Sequence, residues 1–165
     1  MKKISFLVIL VAILFISCKK ETAKCPYTAP VAKASQAEID SIQRYVNIND
    51  PSATKYSDGV FYKISNPGTG TSPTVCSDIT VKYSGFTFNN SSSFDSSPTP
   101  VKFSLGSLIA GWQNVLYLLK PGGSITLYIP PSLGYGNVDV RNNAGAVVIP
   151  ANSYLKFTID LVEVQ

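Results

Sequence analysis

Apolar and polar residues alternate along several stretches of the chain, which is the pattern of strands that bury one face. The stretches cover residues 59–64, 78–88, 101–105, 124–129 and 154–164. In the last of them the apolar face is formed by Leu155, Phe157, Ile159 and Leu161. Segments rich in Gly, Pro and Asn separate the stretches and are typical of turns. The pattern predicts an antiparallel sheet of about five strands.

Helical spacing precedes the first of these strands. Ser35 and Glu38 have the spacing of a capping box. An apolar stripe follows and ends near Asn47, and its members are Ile39, Ile42 and Val46. We expect this N-terminal helix to pack on the main domain, and a dimerisation helix is the alternative.

The stretch 94–112 supplies the candidate functional residues. Its two prolines exclude a helix at its start, and a short helix begins at its end, at the single Trp of the chain. The residues that it brings to one neighbourhood are Phe94, Asp95, Val101, Phe103, Leu108, Ile109 and Trp112. An apolar cup with one acid is typical of a pocket for a mostly apolar ligand. The elements together predict an α+β domain, in which the sheet wraps around one short helix and an extra helix precedes it.

Composition restricts the chemistry of this pocket. The chain has 165 residues, of which 45% are hydrophobic and 15% are charged, as expected for one globular domain. It contains no His, the commonest general base and metal ligand, and we expect neither a metal nor a cofactor. The 14 Lys and Arg residues against 10 Asp and Glu form no basic patch, so nucleic-acid binding is not expected.

The first 18 residues have the features of an export leader. Lys2 and Lys3 precede an apolar run at 6–16, which is too short for a membrane span and suits the core of a signal peptide. The end of the run resembles a bacterial lipoprotein signal, in which Cys18 becomes the lipidated first residue. This implies a protein that is lipid-anchored to a membrane of the bacterial cell envelope, on the periplasmic side or the cell surface. An ordinary secretory leader with an incidental Cys18 is the alternative.

The remaining chain divides into three parts. Residues 19–34 are rich in Pro and small polar residues and are predicted to be a flexible tether. Residues 35–58 hold the N-terminal helix and a loop, and residues 59–165 form the main domain. With Cys18 lipidated, export to an oxidising compartment favours a disulfide between Cys25 and Cys76. Two free thiols are the alternative.

The main domain contains six motifs in this order: V-K-Y-S-G, F-D-S-S, P-V-K-F-S-L-G, L-I-A-G-W, P-P-S-L-G-Y-G and V-I-P-A-N-S-Y-L-K-F. Together they resemble the FK506-binding-protein (FKBP) family of peptidyl-prolyl cis-trans isomerases. The resemblance runs from about Gly59 to Val164. It implies an FKBP-like fold and a cofactor-free enzyme that rotates X-Pro bonds in proline-containing segments of exported proteins. It also implies binding of macrolide inhibitors. A catalytically weak FKBP-fold chaperone or partner-binding lipoprotein is the first alternative, and a structural envelope lipoprotein is the second.

The same resemblance implies roles for the pocket residues. The catalytic set would be Tyr83, Asp95, Ile109, Trp112 and Tyr135. The backbone N–H of Ile109 and the hydroxyl of Tyr135 would donate hydrogen bonds to substrate carbonyls, and Asp95 would accept from the tyrosines. Substrate-binding positions would be Phe94, Val101, Leu108, Val148, Ile149 and Phe157.

The chain departs from the family at the rim of this pocket. Val101 stands where the family usually has Phe, and Ser107 stands where an acid is common. Phe103 and Leu105 have strand spacing and are expected in the core.

Overall fold

The main sheet has six strands, and every neighbouring pair is antiparallel. The computed structural model describes residues 25–165, so the predicted leader and Cys18 lie outside the described residues. The strands are β1 (Thr54–Lys55), β2 (Phe61–Asn66), β3 (Asp78–Thr87), β4 (Asp95–Ser104), β5 (Gly123–Ile129) and β8 (Leu155–Val164), and a separate hairpin contains β6 (Val140–Arg141) and β7 (Val147–Ile149). The strand order of the main sheet is β1-β2-β5-β8-β3-β4.

The alternating pattern predicted this sheet, and the prediction is confirmed. Strand β8 lies between β5 and β3, and Leu155, Phe157, Ile159 and Leu161 are all buried because they share one face. The sixth strand is β1, which has only two residues and is too short to show an alternating pattern. The sheet thus differs from the expected five strands only by this short edge strand.

Strand β4 begins earlier than residue 101, where the apolar pattern starts. It includes Pro98 and Pro100, which cannot donate hydrogen bonds to a neighbouring strand. The register with β3 shifts at this point, because Val81 pairs with Val101 and Tyr83 pairs with Ser97. A bulge therefore accommodates the prolines, and it directs the start of β4 toward the pocket.

The N-terminal helix is α1 (Gln36–Asn49), and both halves of its capping box are formed. Its stripe buries Ile42 and Val46 against Phe61 and Tyr128 of the sheet. Tyr45 stacks on Phe88 with 3.8 Å between the ring centroids. Helix α1 therefore packs on the outer face of the strands and closes a second apolar cluster.

The central helix is shorter than the spacing after Trp112 suggests. Helix α2 (Ala110–Gln113) ends early, and a separate 3-10 turn spans Leu116–Leu118. Val115 breaks the helix because its φ of −123° is not helical. A Cβ at Gly111 would approach the Cγ2 of Ile129 to 2.6 Å, so the glycine permits the close packing of α2 on β5.

Residues 25–34, which the sequence assigned to the flexible tether, are held against the domain. Cys25 and Cys76 form a disulfide, with 5.5 Å between their Cα atoms. Tyr27 packs on Gly106, where a side chain would clash with its ring. The N–H of Ala34 donates to the carbonyl of Asp58 at 2.8 Å. The prediction of a free tether therefore needs correction from Cys25 onward. No helix within residues 25–165 is long and apolar enough to cross a membrane.

Candidate active site

An open cavity of about 270 Å³ lies where β3, β4, α2 and the loop after β5 meet. All members of the predicted catalytic set line it. The lining consists of Tyr83, Asp95, Phe103, Ser107, Leu108, Ile109, Trp112, Tyr135 and Phe157. Its volume is at the small end of ligand pockets, which measure about 300–1,000 Å³. The cavity therefore suits a short apolar segment better than a large cofactor.

Aromatic rings in edge-to-face contact form the base of the cavity. Trp112 is 4% exposed and stands almost perpendicular to Tyr83 and to Phe157, with centroid distances of 5.7 and 5.2 Å. Phe103 meets the other side of Tyr83 at 6.0 Å. Each contact uses the attraction between the positive edge of one ring and the negative face of the next. The rings thus support one another and keep the base rigid.

The carboxylate of Asp95 is tied to this base at the rim. Tyr83 and Asp95 are on neighbouring strands and face each other diagonally, since Gly85 is the residue directly opposite Asp95. The hydroxyl of Tyr83 donates to Oδ2 of Asp95 at 2.7 Å. Burial and the Asp95 charge raise the pKa of Tyr83 well above its ordinary value. Tyr83 therefore remains a neutral donor that holds the acid in place.

Tyr135 supplies the polar group on the opposite side. It stands between Gly134 and Gly136, and Gly136 has a φ of +70°, which only glycine adopts freely. Burial and the nearby charge of Asp95 raise the pKa of Tyr135. The prediction that Asp95 accepts from both tyrosines is wrong for Tyr135, whose hydroxyl makes no hydrogen bond to any described residue. Tyr135 is 40% exposed. The hydroxyl is free to bind a ligand.

Two further donors at the cavity are unpaired. The backbone N–H of Ile109, at the start of α2, donates to no described residue. The indole Nε1 of Trp112 is buried and has no partner within the described residues. A buried donor without an acceptor costs about 1–3 kcal/mol, so natural proteins seldom keep one without a use. Because Nε1 of Trp112 is buried, the N–H of Ile109 and the hydroxyl of Tyr135 are the donors that the cavity can offer to carbonyl groups.

Some predicted wall residues lie behind the cavity surface. Phe94 packs edge-on against Phe157 at 5.6 Å and supports that ring from outside. Val101 pairs with Val81 across the strands and packs on the core. Val148 is half-buried, and Ile149 is 2% exposed in the core. These residues shape the wall without reaching the cavity.

Phe103 and Ser107 line the cavity although neither was given a catalytic or substrate-binding role. Phe103 was expected in the core, but its ring joins the aromatic base through Tyr83. Phe103 lies two positions from Val101 on the same face of β4, so strand periodicity makes both residues candidates for the pocket. Leu105 is fully buried, as expected.

A larger groove of about 400 Å³ lies between residues 29–33 and residues 56–58. Four of its polar side chains are already paired with one another. The hydroxyls of Tyr56 and Tyr117 are 2.7 Å apart, and Asn114 donates to Asp58. The groove thus offers no free buried donor. Within residues 25–165, no cluster of His, Cys, Asp and Glu could hold a metal ion.

Comparison with known proteins agrees with this geometry. The family model for FKBP-type peptidyl-prolyl cis-trans isomerases matches residues 70–162, more than half of the chain. The chain is 38% identical over 122 residues to the peptidyl-prolyl cis-trans isomerase Mip of Coxiella burnetii, covering 72% of this chain and 50% of that protein. It is also 38% identical over 112 residues to FkpA of Escherichia coli, covering 66% of this chain and 39% of that protein. The chain thus spans half or less of these relatives.

Solved structures show the same likeness. The crystal structure of FkpA from Escherichia coli superposes with a TM-score of 0.66 at 31% identity, covering 78% of this chain and 58% of that chain. A peptidyl-prolyl cis-trans isomerase from Pseudomonas syringae superposes with a TM-score of 0.66 at 25% identity, covering 82% of this chain and 99% of that chain. With the family match, the sheet and the aromatic cavity, these findings show that the chain belongs to the FKBP-type peptidyl-prolyl cis-trans isomerase family.

Proposed function

We propose that this protein catalyses cis-trans isomerisation of X-Pro bonds in exported proteins. The observation that carries the proposal is the cavity itself, in which the N–H of Ile109 and the hydroxyl of Tyr135 are free donors beside an aromatic floor. Family membership supports the same reaction. The substrates are proline-containing segments of folding proteins, and macrolides that fill the cavity would compete with them.

The reaction needs no nucleophile, metal or proton transfer. Amide resonance sets a barrier of about 18–20 kcal/mol to rotation about a peptide bond. In the transition state the amide is twisted and less conjugated, so its carbonyl is less polar. An apolar cavity that binds this twisted form better than either planar form lowers the barrier. The base formed by Trp112 and Phe157 holds the proline ring while the preceding carbonyl turns.

The polar groups orient the segment around the rotating bond. The N–H of Ile109 and the hydroxyl of Tyr135 donate to carbonyls on either side of it. Asp95 keeps Tyr83 in its position against Trp112. Such orientation increases the reaction rate, because a substrate that is bound in one geometry has already lost the rotational freedom that the transition state requires it to lose.

We further propose that the protein works at a membrane of the bacterial cell envelope. The leader ends in a lipoprotein-like sequence at Cys18, and only six residues separate Cys18 from Cys25. An extended chain spans at most about 3.5 Å per residue, so Cys25 would lie within about 25 Å of a lipidated Cys18. The disulfide, with 5.5 Å between its Cα atoms, would then keep Cys76 within about 30 Å of Cys18. Labelling of the full chain with a radioactive fatty acid tests this, since Cys18→Ala should abolish the label. A label that persists in Cys18→Ala contradicts the anchor.

Catalysis is tested by exchange spectroscopy of short X-Pro peptides with residues 19–165. We expect Tyr135→Ala combined with Trp112→Ala to lose the acceleration. Tyr117→Phe is the matched control, because Tyr117 is 41% exposed, close to the 40% of Tyr135, and lies at the other groove. No acceleration by the parent with any residue before proline would refute catalysis. Retained peptide binding in that case would favour the catalytically weak chaperone or partner-binding protein.

A further inference from the structure

The N-terminal helix is joined to the loop that carries Tyr135 by one carboxylate. Glu38 occupies the third position of α1, where it completes the capping box. Its Oε2 accepts from the backbone N–H of Ser35 at 2.8 Å and from the Ser35 hydroxyl at 2.9 Å. A cap of this kind needs no more than these local bonds.

The same carboxylate also reaches Ser132, 94 residues further along the chain. Oε1 accepts from the backbone N–H of Ser132 at 2.9 Å, and Oε2 accepts from its hydroxyl at 3.0 Å. No Lys or Arg pairs with Glu38 among the described residues. The charge is therefore balanced by these N–H and O–H donors and by the helix N-terminus. Partial burial would raise the pKa of Glu38, but the hydrogen bonds outweigh it and lower the pKa.

Ser132 belongs to the 3-10 turn Pro131–Leu133, which directly precedes the segment that carries Tyr135. The carbonyl of Pro131 accepts from the N–H of Gly134 at 3.0 Å and from the N–H of Gly136 at 2.8 Å. These bonds lie on both sides of Tyr135. Pro131 and Leu133 are buried, while Ser132 faces outward. The core thus fixes one side of the turn, and Glu38 fixes the exposed side.

We propose that Glu38 is a positioning residue for the isomerase site and that it sets the place of the Tyr135 hydroxyl through Ser132. The proposal rests on the proposed function, in which Tyr135 binds a substrate carbonyl. It makes α1 a support of the active site, beyond its role in packing. An error of about 1 Å in a binding group is enough to lower the rate strongly.

The test is a double-mutant cycle on kcat/KM with residues 19–165. We expect Glu38→Ala to lower kcat/KM about fivefold in the parent, mostly through KM. In the Tyr135→Phe background, which has no hydroxyl to place, the same change should cost less than about 1.5-fold. Ser35→Ala is the matched control, since it weakens the cap and leaves both bonds to Ser132. It should retain nearly the parent kcat/KM.

Amide hydrogen exchange provides a second measurement, which does not depend on enzymatic activity. The amides of Gly134 and Gly136 should exchange faster in Glu38→Ala than in Ser35→Ala, because only the former releases the turn. Equal losses of kcat/KM in both tyrosine backgrounds, an equal loss in Ser35→Ala, or unchanged exchange would each overturn the proposal. An inactive parent would refute the proposed function, and the exchange arm would still decide whether Glu38 holds the turn.

Discussion

Replacing Gly85 with alanine tests whether the position of Phe157 in the cavity wall depends on its close packing against Gly85 and Phe94. Gly85 lies on β3 directly opposite Phe157 on β8. A Cβ at this position would be 2.5 Å from the Cε1 of Phe157 and 2.7 Å from the Cζ of Phe94. Carbon atoms prefer separations of about 3.5–4.0 Å, so a ring must move by about 1 Å. Phe157 lines the cavity, and its movement would change the shape of the pocket.

The expected magnitude follows from overpacking. Inserting a methyl group into a packed site costs about 1–3 kcal/mol, because the neighbours leave their preferred rotamers. A cost of about 2 kcal/mol lowers the Tm of a domain of this size by roughly 6 °C. Phe157 also stands 5.2 Å from Trp112, so the shift is passed to the base of the cavity. We expect the Kd for a prolyl peptide to rise about tenfold.

The assay uses urea unfolding for stability and the fluorescence of Trp112, the single Trp of the chain, for binding. Ser84→Ala is the control, because it places alanine at the neighbouring position of β3, whose side chain points to the other face. Combining Gly85→Ala with Phe94→Leu should cost less than the sum of the two single changes, since the smaller side chain makes room for the methyl group. Parent-like Tm and Kd in Gly85→Ala would refute the reasoning.

Three further outcomes follow from the geometry. Tyr83→Phe removes the 2.7 Å hydrogen bond to the exposed Asp95 and should raise the peptide Kd about threefold with little change in Tm. A parent-like Kd would contradict the role of Asp95 as an orienting group. Replacing both Cys25 and Cys76 with serine opens a loop with a sequence separation of 51 and should cost roughly 4 kcal/mol in urea unfolding, whereas an unchanged midpoint would show that residues 25–34 hold without it. Partial burial would raise the pKa of Asp50, but hydrogen bonds from its neighbours outweigh it and lower the pKa below the ordinary value of 3.8. The ionised Asp50 therefore stabilises the fold fully above pH 3.8, and this stabilisation is lost as the pH falls through the folded-state pKa. Asp50→Asn should therefore flatten the fall in urea midpoint between pH 5 and pH 2, and parallel curves would contradict this.

The sequence predicted the sheet because each long strand buries one face, and the period of two survives folding in β3, β5 and β8. It missed β1, which contains only two residues. It also placed the start of β4 too late, since the prolines hide a strand that bulges around them. Short elements and bulges depend on tertiary pairing, which a local pattern does not contain.

At the site, the family motifs identified the residues that face the cavity better than those that support it. Tyr83 and Asp95 could be predicted as a pair, but the choice between Val101 and Phe103 depended on the register of β4. Phe94 was assigned to substrate binding and instead packs behind Phe157, because a motif gives the position of a residue and not the direction of its ring. The bond from Glu38 to Ser132 joins segments 94 residues apart and has no local pattern at all.

A reaction that works by shape and orientation should be insensitive to pH near neutrality, and this site allows a strict test. The ionisable residues that line the cavity are Tyr83, Asp95 and Tyr135, and the chain contains no His. Burial raises the pKa of both tyrosines, so their hydroxyls stay protonated and keep donating throughout the neutral range. We therefore expect kcat/KM for a peptide without titrating groups to stay constant within about twofold between about pH 6 and pH 9. A bell-shaped profile in this range would show that a group with a pKa near neutrality takes part, and the mechanism of binding a twisted amide without proton transfer would have to be abandoned.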